Sequence, residues 1–232
     1  VSVLILFDID GTLITTGGVG IRAMVAAGRE LFGPNFNADG IVFAGRLDPL
    51  ILRDMFVQSG VPTKPENFAA IRNRYAIHLG RELAASTAKR SLPGVLPLVE
   101  SLRLDPDFTL GLLTGNFAET GSMKLRACGV EPDHFPIQAW GDESPHDPPA
   151  RDHLPPIAIE RDHRRRGRRL PGHAVTIIGD TPHDVSCAKA HGCRSLAVAT
   201  GRSTAEDLTK AGADLVMPDL SDTRAVLSWL RG

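Results

Sequence analysis

The chain predicts an α/β fold, with a Rossmann-like three-layer core around a parallel sheet and an inserted α-helical cap. Three observations carry this. Short apolar runs recur along the chain, and they are continuous rather than alternating, as parallel strands covered on both faces require. Helical segments separate them, the arrangement of right-handed βαβ crossovers. The stretch from about residue 15 to 90 holds helical patterns but no strand series, so it is set apart from the rest.

The elements follow in order. Val3-Leu4-Ile5-Leu6-Phe7 is a buried first strand that stops at Asp8. Residues 21–32, 47–59 and 68–85 have helical patterning, and breakers such as Gly33-Pro34 and Gly60-Val61-Pro62 join them. Leu92-Pro93-Gly94-Val95 is a helix entry with Pro and Gly in its first turn. Further strands are expected at 108–113, 174–178, 195–199 and 213–217. The boundaries are a core domain of 1–14 and 91–232 and a cap of 15–90. No internal repeats occur.

The 232 residues allow one large domain or two small ones. Lys plus Arg number 26 against 27 Asp plus Glu, so nothing global suggests a nucleic-acid or membrane partner. No apolar run approaches the ~20 residues of a membrane span. The first residues lack a basic region and a small-residue cleavage site, which argues against a signal peptide. Cys128, Cys187 and Cys193 match neither a zinc site nor a disulfide framework, and a reducing cytoplasm suits them. Six arginines crowd 161–169 around Gly167. With no aromatic residues interleaved, they are expected to be a solvated helix end rather than an anion site.

Three motifs stand at strand ends, where ligands bind in open α/β sheets. In Asp8-Ile9-Asp10-Gly11-Thr12, side chains two apart on a strand point the same way, so two carboxylates should face one spot. Like charges so close call for a cation, and a hard divalent ion beside a carboxylate nucleophile is the apparatus of phosphoryl transfer. In Thr114-Gly115-Asn116, a hydroxyl and a glycine amide at a helix start make a phosphate cradle. Asn116 with Glu119 also fits a capping box, on a helix running to about Cys128 with Gly129 as its stop. In Gly179-Asp180-Thr181-Pro182-His183-Asp184, Thr181, Pro182 and Asp184 start a helix. That does not explain Asp180, the natural third carboxylate for a hard cation. Asp184 supports it from behind while serving the cap.

Together, and in this order, the motifs resemble those of the haloacid dehalogenase (HAD) superfamily, with the helical insert similar to its type 1 cap and a phosphoglycolate-phosphatase-like layout. The resemblance covers nearly the whole chain. It implies a Mg²⁺-dependent phosphatase of small phosphate monoesters. Asp8 is then the nucleophile and Asp10 the proton carrier. Asp8, the backbone carbonyl of Asp10 and Asp180 hold the metal. Thr114, Gly115 and Asn116, with Gly11 and Thr12, surround the phosphate. An aspartate at position 10 argues for ester chemistry, because an alkoxide leaving group needs a proton and a halide does not.

The match departs at the superfamily's third motif. No lysine lies between Trp140 and Ile177, and Arg151, ahead of a helix through Ile157 and Glu160, is the stand-in, with His146 and His153 as other candidates. Gly45-Arg46-Leu47-Asp48 resembles a substrate-facing cap segment, where Arg46 either binds a substrate anion or belongs to a helix-entry loop with Asp48 near its N-cap. The expected partner is a small phosphorylated metabolite, and the chain is a monomer or homodimer. Two alternatives remain: a phosphosugar mutase of the same fold, and a non-catalytic binding protein that kept the fold.

Overall fold

The computed structural model describes residues 3–232. Residues 1 and 2 of the expected 1–14 segment lie outside the described residues. The main sheet contains β1 (Val3–Phe7), β4 (Phe108–Leu113), β5 (Ile137–Ala139), β6 (Val175–Gly179), β7 (Arg194–Val198) and β8 (Leu215–Met217). Its order is β5-β4-β1-β6-β7-β8 and every pairing is parallel. A second, two-stranded ribbon pairs β2 (Ile14–Thr15) with β3 (Arg90–Ser91) antiparallel.

β1 shows why a continuous apolar run is needed. Val3, Ile5 and Phe7 enter one core, with Val95 and Leu98 of α4 (Val95–Leu104) and Val226 and Leu230 of α9 (Thr223–Arg231). Leu4 and Leu6 enter the opposite core, with Leu154 and Ala158 of α6 (Leu154–Arg166) and Ala188 of α7 (Pro182–Ala190). Alternate side chains leave opposite faces of a strand, so a strand covered on both sides has no polar face. At about 25 cal/mol per Å² of buried apolar surface, each such leucine or isoleucine contributes roughly 1.5–3 kcal/mol.

Between β2 and β3 lie α1 (Val19–Phe32), α2 (Asp48–Gln58) and α3 (Pro65–Ala85). They form a separate core of Met24, Phe36, Phe56, Ile71, Tyr75 and Leu79, to which Phe117 adds from below. Phe56 packs edge-on against Phe32, Phe36 and Phe68.

Two details differ from the sequence expectations. β5 was not anticipated, because three residues at a sheet edge make too short a run to stand out. Pro93 and Gly94 precede α4 rather than enter it, with Gly94 as its N-cap at φ 78°. The arginine segment is a helix end, as expected: Gly167 closes α6 in the left-handed conformation, Arg161 pairs with Glu143, Arg164 with Glu160 and Arg166 with Asp162.

Candidate active site

The carboxyl ends of β1, β4 and β6 meet beneath the helical insert, around a cavity of about 360 Å³. Asp8 follows β1 directly, and its N–H donates to Ile178 O at 2.9 Å, which ties the chain to β6 as it leaves the sheet. Asp180 follows β6. Its Oδ1 accepts from the Thr12 hydroxyl at 3.2 Å. A Cβ on Gly11, at φ 90°, would fall 2.5 Å from Asp180 Oδ2, so Gly11 supplies both the turn and the room for that carboxylate. Asp184 caps α7 as expected: its Oδ2 accepts from the Thr181 N–H at 3.0 Å and the Thr181 hydroxyl at 2.6 Å.

Asp8, Asp180 and Asp184 are all buried, and each offers an oxygen within 4.8 Å of the others. Arg151 stands against this group. One nitrogen, Nη2, lies 2.8 Å from Asp8 Oδ1, 2.7 Å from Asp184 Oδ1 and 3.2 Å from Leu113 O. Three buried carboxylates against one guanidinium leave an excess of negative charge. Burial pushes the Asp8 carboxyl upward, Arg151 pulls it down, and Asp184 adds to the rise. Burial and then Asp8 raise Asp180. An all-oxygen, electron-rich set of this kind fits a hard divalent cation, so the three aspartates are a candidate metal site.

Asp10 behaves differently from the expectation that the pair faces one spot. Its Oδ2 accepts from Lys124 Nζ at 2.7 Å and from Asn116 Nδ2 at 2.9 Å. Regular strand geometry ends at Phe7, so the two-residue period that would align the side chains no longer holds. Both aspartates line the cavity, yet each has its own cation.

Lys124 was not anticipated. It is buried on α5 (Ala118–Ala127), where it also donates to Asn116 Oδ1 at 2.6 Å. Burial works against its charge, but Asp10, Tyr75 and Asp48 together outweigh that and the pKa is raised. Asn116 also donates to Thr114 Oγ1 at 2.9 Å. The expected Asn116–Glu119 capping box is therefore absent. Phe117 is the N-cap of α5 with no side-chain bond of its own, Asn116 is drawn into the cavity, and Glu119 pairs with Arg72 of α3. The Phe117 N–H is met from the insert, by Asp48 Oδ2 at 3.2 Å. Asp48 is the first residue of α2 rather than its cap, and burial pushes its carboxyl up to about 7.

The remaining expected residues fall as follows. Gly115 lines the cavity, and its carbonyl accepts from the Asp48 N–H at 2.7 Å, seating the insert on the core. Arg46 also lines the cavity, with its Nη1 paired to Asp54 at 2.7 Å. His146 and His153 pack edge-on with ring centroids 4.6 Å apart and line a separate groove.

Comparisons with known proteins agree with this geometry. The HAD-hydrolase-like family model matches residues 155–223. A probable phosphatase, IndB, from Dickeya dadantii is 26% identical over 94% of this chain and 90% of its own length. The pyrophosphatase PpaX from Bacillus pumilus is 24% identical over 96% and 95%. Among solved structures, CbbY from Rhodobacter sphaeroides, in complex with phosphate, has a TM-score of 0.75 at 19% identity and covers 96% of both chains. A predicted phosphoglycolate phosphatase from Haemophilus somnus has a TM-score of 0.69 at 18% identity, over 97% of this chain and 98% of that one; these two likenesses concern the fold. Fold, motif order and matches agree on one class: residues 155–223 match the HAD-hydrolase-like family, and the fold, with its inserted helical region, is the one these solved structures share. The two curated relatives are a probable phosphatase and a pyrophosphatase, and in this chain Asp8, Asp180 and Asp184 are the candidate metal site.

Proposed function

We propose that the chain is a Mg²⁺-dependent phosphatase that hydrolyses a small phosphate monoester through a phosphoaspartate on Asp8. The observation that carries this is the Arg151 contact. A buried cation holds the Asp8 carboxylate beside two more carboxylates, at the floor of a cavity of about 360 Å³ that admits only a small molecule. Arg151 thus fills the place of the superfamily's lysine.

Asp8, Asp180 and Asp184, with the Asp10 carbonyl, are the residues placed to hold the ion. When bound, Mg²⁺ supplies charge that offsets the repulsion between an anionic nucleophile and an anionic phosphate. A carboxylate oxygen of Asp8 attacks phosphorus as the bond to the ester oxygen breaks. Asp10 gives its proton to the departing alkoxide. In the second step Asp10 takes a proton from water as that water attacks phosphorus, which frees Asp8 and inorganic phosphate. Lys124 and Asn116 both hold Oδ2 of Asp10, which leaves Oδ1 as the oxygen that carries the proton. The Thr114 hydroxyl accepts from Asn116, so its own proton is left for a phosphoryl oxygen. Residues 15–90 act as the cap that excludes bulk water from the reacting groups.

The test is phosphate release from a panel of phosphorylated metabolites with Mg²⁺, comparing wild type with Asp8→Asn and Arg151→Ala. Asp8→Asn should abolish turnover and Arg151→Ala should lower it severely. No release from any ester, or an Asp8→Asn protein as active as wild type, refutes the proposal. A mutase would show a burst of phosphoenzyme with little free phosphate in a single turnover.

A further inference from the structure

Arg151 stands against the three aspartates, yet its side chain is anchored at one corner only. Its contacts to Asp8, Asp184 and the Leu113 carbonyl all run through Nη2, and Nε is buried with no hydrogen-bond partner among the described residues. A guanidinium held at one corner can pivot about it, so the backbone that delivers it sets where it points. That backbone is a tight turn, and His153 closes it. The Ala150 N–H donates to His153 Nδ1 at 3.2 Å, and the His153 N–H donates to Ala150 O at 3.2 Å, with Arg151 and Asp152 in between. Two side chains from the α7 side complete the hold. Cys187 Sγ donates to Arg151 O at 3.4 Å, and His191 Nε2 lies 2.6 Å from Asp152 O.

These contacts fix where each ring carries its proton. A backbone N–H only donates, so Nδ1 of His153 is an unprotonated nitrogen. The Ser144 hydroxyl, 2.7 Å from the same atom, steadies the ring in that state. A carbonyl only accepts, so Nε2 of His191 carries a proton, as it does in a neutral ring of that tautomer and in a charged one. The two histidines therefore answer acid differently. A second proton leaves the His191 bond in place, but on His153 it sets N–H against N–H at Ala150. The other groups facing His153 are Asp152, with Oδ1 3.9 Å from Nε2, the edge-on ring of His146, and Glu160, Arg161 and Arg164 of α6, whose arginines are paired to Glu143 and Glu160.

We propose that His153 is a positioning residue: its unprotonated Nδ1 holds the Ala150–His153 turn, and through it keeps Arg151 where the guanidinium meets Asp8 and Asp184. This rests on the phosphatase reading above, in which Arg151 holds the nucleophile. His153 lies in the groove outside the cavity, so it acts on the reaction only through Arg151. Its loss therefore falls on kcat rather than on KM.

The experiment compares wild type, His153→Leu and His153→Asn on one ester that wild type turns over with Mg²⁺, at pH 5 and pH 7.5. Leucine fills the space of the ring and offers no acceptor. The asparagine carboxamide oxygen takes the place of Nδ1 and does not titrate. At pH 7.5 His153→Leu should lower kcat by about 10-fold with KM within about 2-fold, well inside the loss that a misplaced catalytic cation can cause. His153→Asn should keep kcat within about 3-fold of wild type. On going to pH 5 wild type should lose at least about 3-fold more of its kcat than His153→Asn loses, since only the imidazole gains a proton there. Urea unfolding shows whether the leucine variant is folded, and where it is not, the pH comparison of wild type with His153→Asn decides alone. A leucine variant as active as wild type, an asparagine variant as impaired as the leucine one, or an equal fall with acid in wild type and His153→Asn overturns the positioning role, while phosphate release by wild type leaves the phosphatase standing. No release from any ester overturns both.

Discussion

Replacing Arg151 with methionine should destabilise the protein in a way that depends on pH and metal. One nitrogen of Arg151 serves Asp8, Asp184 and the Leu113 carbonyl, at 2.8, 2.7 and 3.2 Å, with all three side chains buried. Methionine keeps much of the volume but leaves two or three buried carboxylates without a cation. Removing one partner of a buried ion pair costs roughly 3–5 kcal/mol, against a total stability of about 5–15 kcal/mol for a domain. The sign follows from linkage. Without the guanidinium, the folded-state pKa of Asp8 rises further above its ordinary 3.8. A carboxyl raised on folding contributes stability below its unfolded pKa and loses it as pH rises through the folded one. The deficit should therefore be small near pH 4, grow through neutrality and reach about 3 kcal/mol or more by pH 8. Mg²⁺ should recover part of it, because an ion replaces the missing charge. The assay is urea unfolding of wild type and Arg151→Met at pH 5 and 8, each with Mg²⁺ and with chelator. A deficit below about 1 kcal/mol at pH 8, or the same deficit at both pH values, would refute the claim that Arg151 balances this cluster.

Other consequences are open to direct measurement. Lys124→Met should lower kcat by about 100-fold with a smaller change in KM, since it frees Asp10 to turn without removing a phosphate contact; steady-state kinetics on any turned-over ester reads it, and a change confined to KM would count against it. Asp48→Asn should gain on wild type as pH rises. The wild-type carboxyl, raised from 3.8 to about 7 by burial, contributes stability below pH 3.8 that is lost as pH climbs through 7. Three pKa units at 1.36 kcal/mol each make the swing roughly 4 kcal/mol between pH 4 and 8; a flat difference in urea unfolding would contradict it. Mg²⁺ at 100 times its Kd should stabilise wild type by about 2.7 kcal/mol over the chelated protein, and Asp180→Asn should lose most of that shift in a thermal melt.

Much of the fold was legible in the sequence because its signals are local. Val3–Phe7 is apolar at every position, and only a strand buried on both faces has use for that. Asp180 was visible as an acid that helix capping leaves unexplained, and the cap itself, Thr181 with Asp184, formed as expected. The same logic misled at Asn116. Its spacing to Glu119 suits a capping box, but Asp10 and Lys124 draw Asn116 into the cavity, Arg72 takes Glu119, and Asp48 of the insert meets the helix end instead. Local propensity lost there to charged partners far away in sequence.

Lys124, Asp48 and Tyr75 were illegible for a related reason. Each sits on a helix whose pattern alone admits a solvated lysine, a helix-entry aspartate and a core aromatic. What converts them into a site is the placement of α1, α2 and α3 over α5, which no short-range pattern encodes. That placement also settles how two aspartates one residue apart can coexist. A shared metal is not the whole answer, because the chain leaves the strand after Phe7 and sends Asp8 to Arg151 and Asp10 to Lys124. Arg151 comes from the segment ahead of α6 and Lys124 from the helix after β4, so the two carboxylates are held by cations from separate parts of the fold. In the proposed reaction the nucleophile must stay anionic and the proton carrier must cycle, and separate cations would permit both within one short motif.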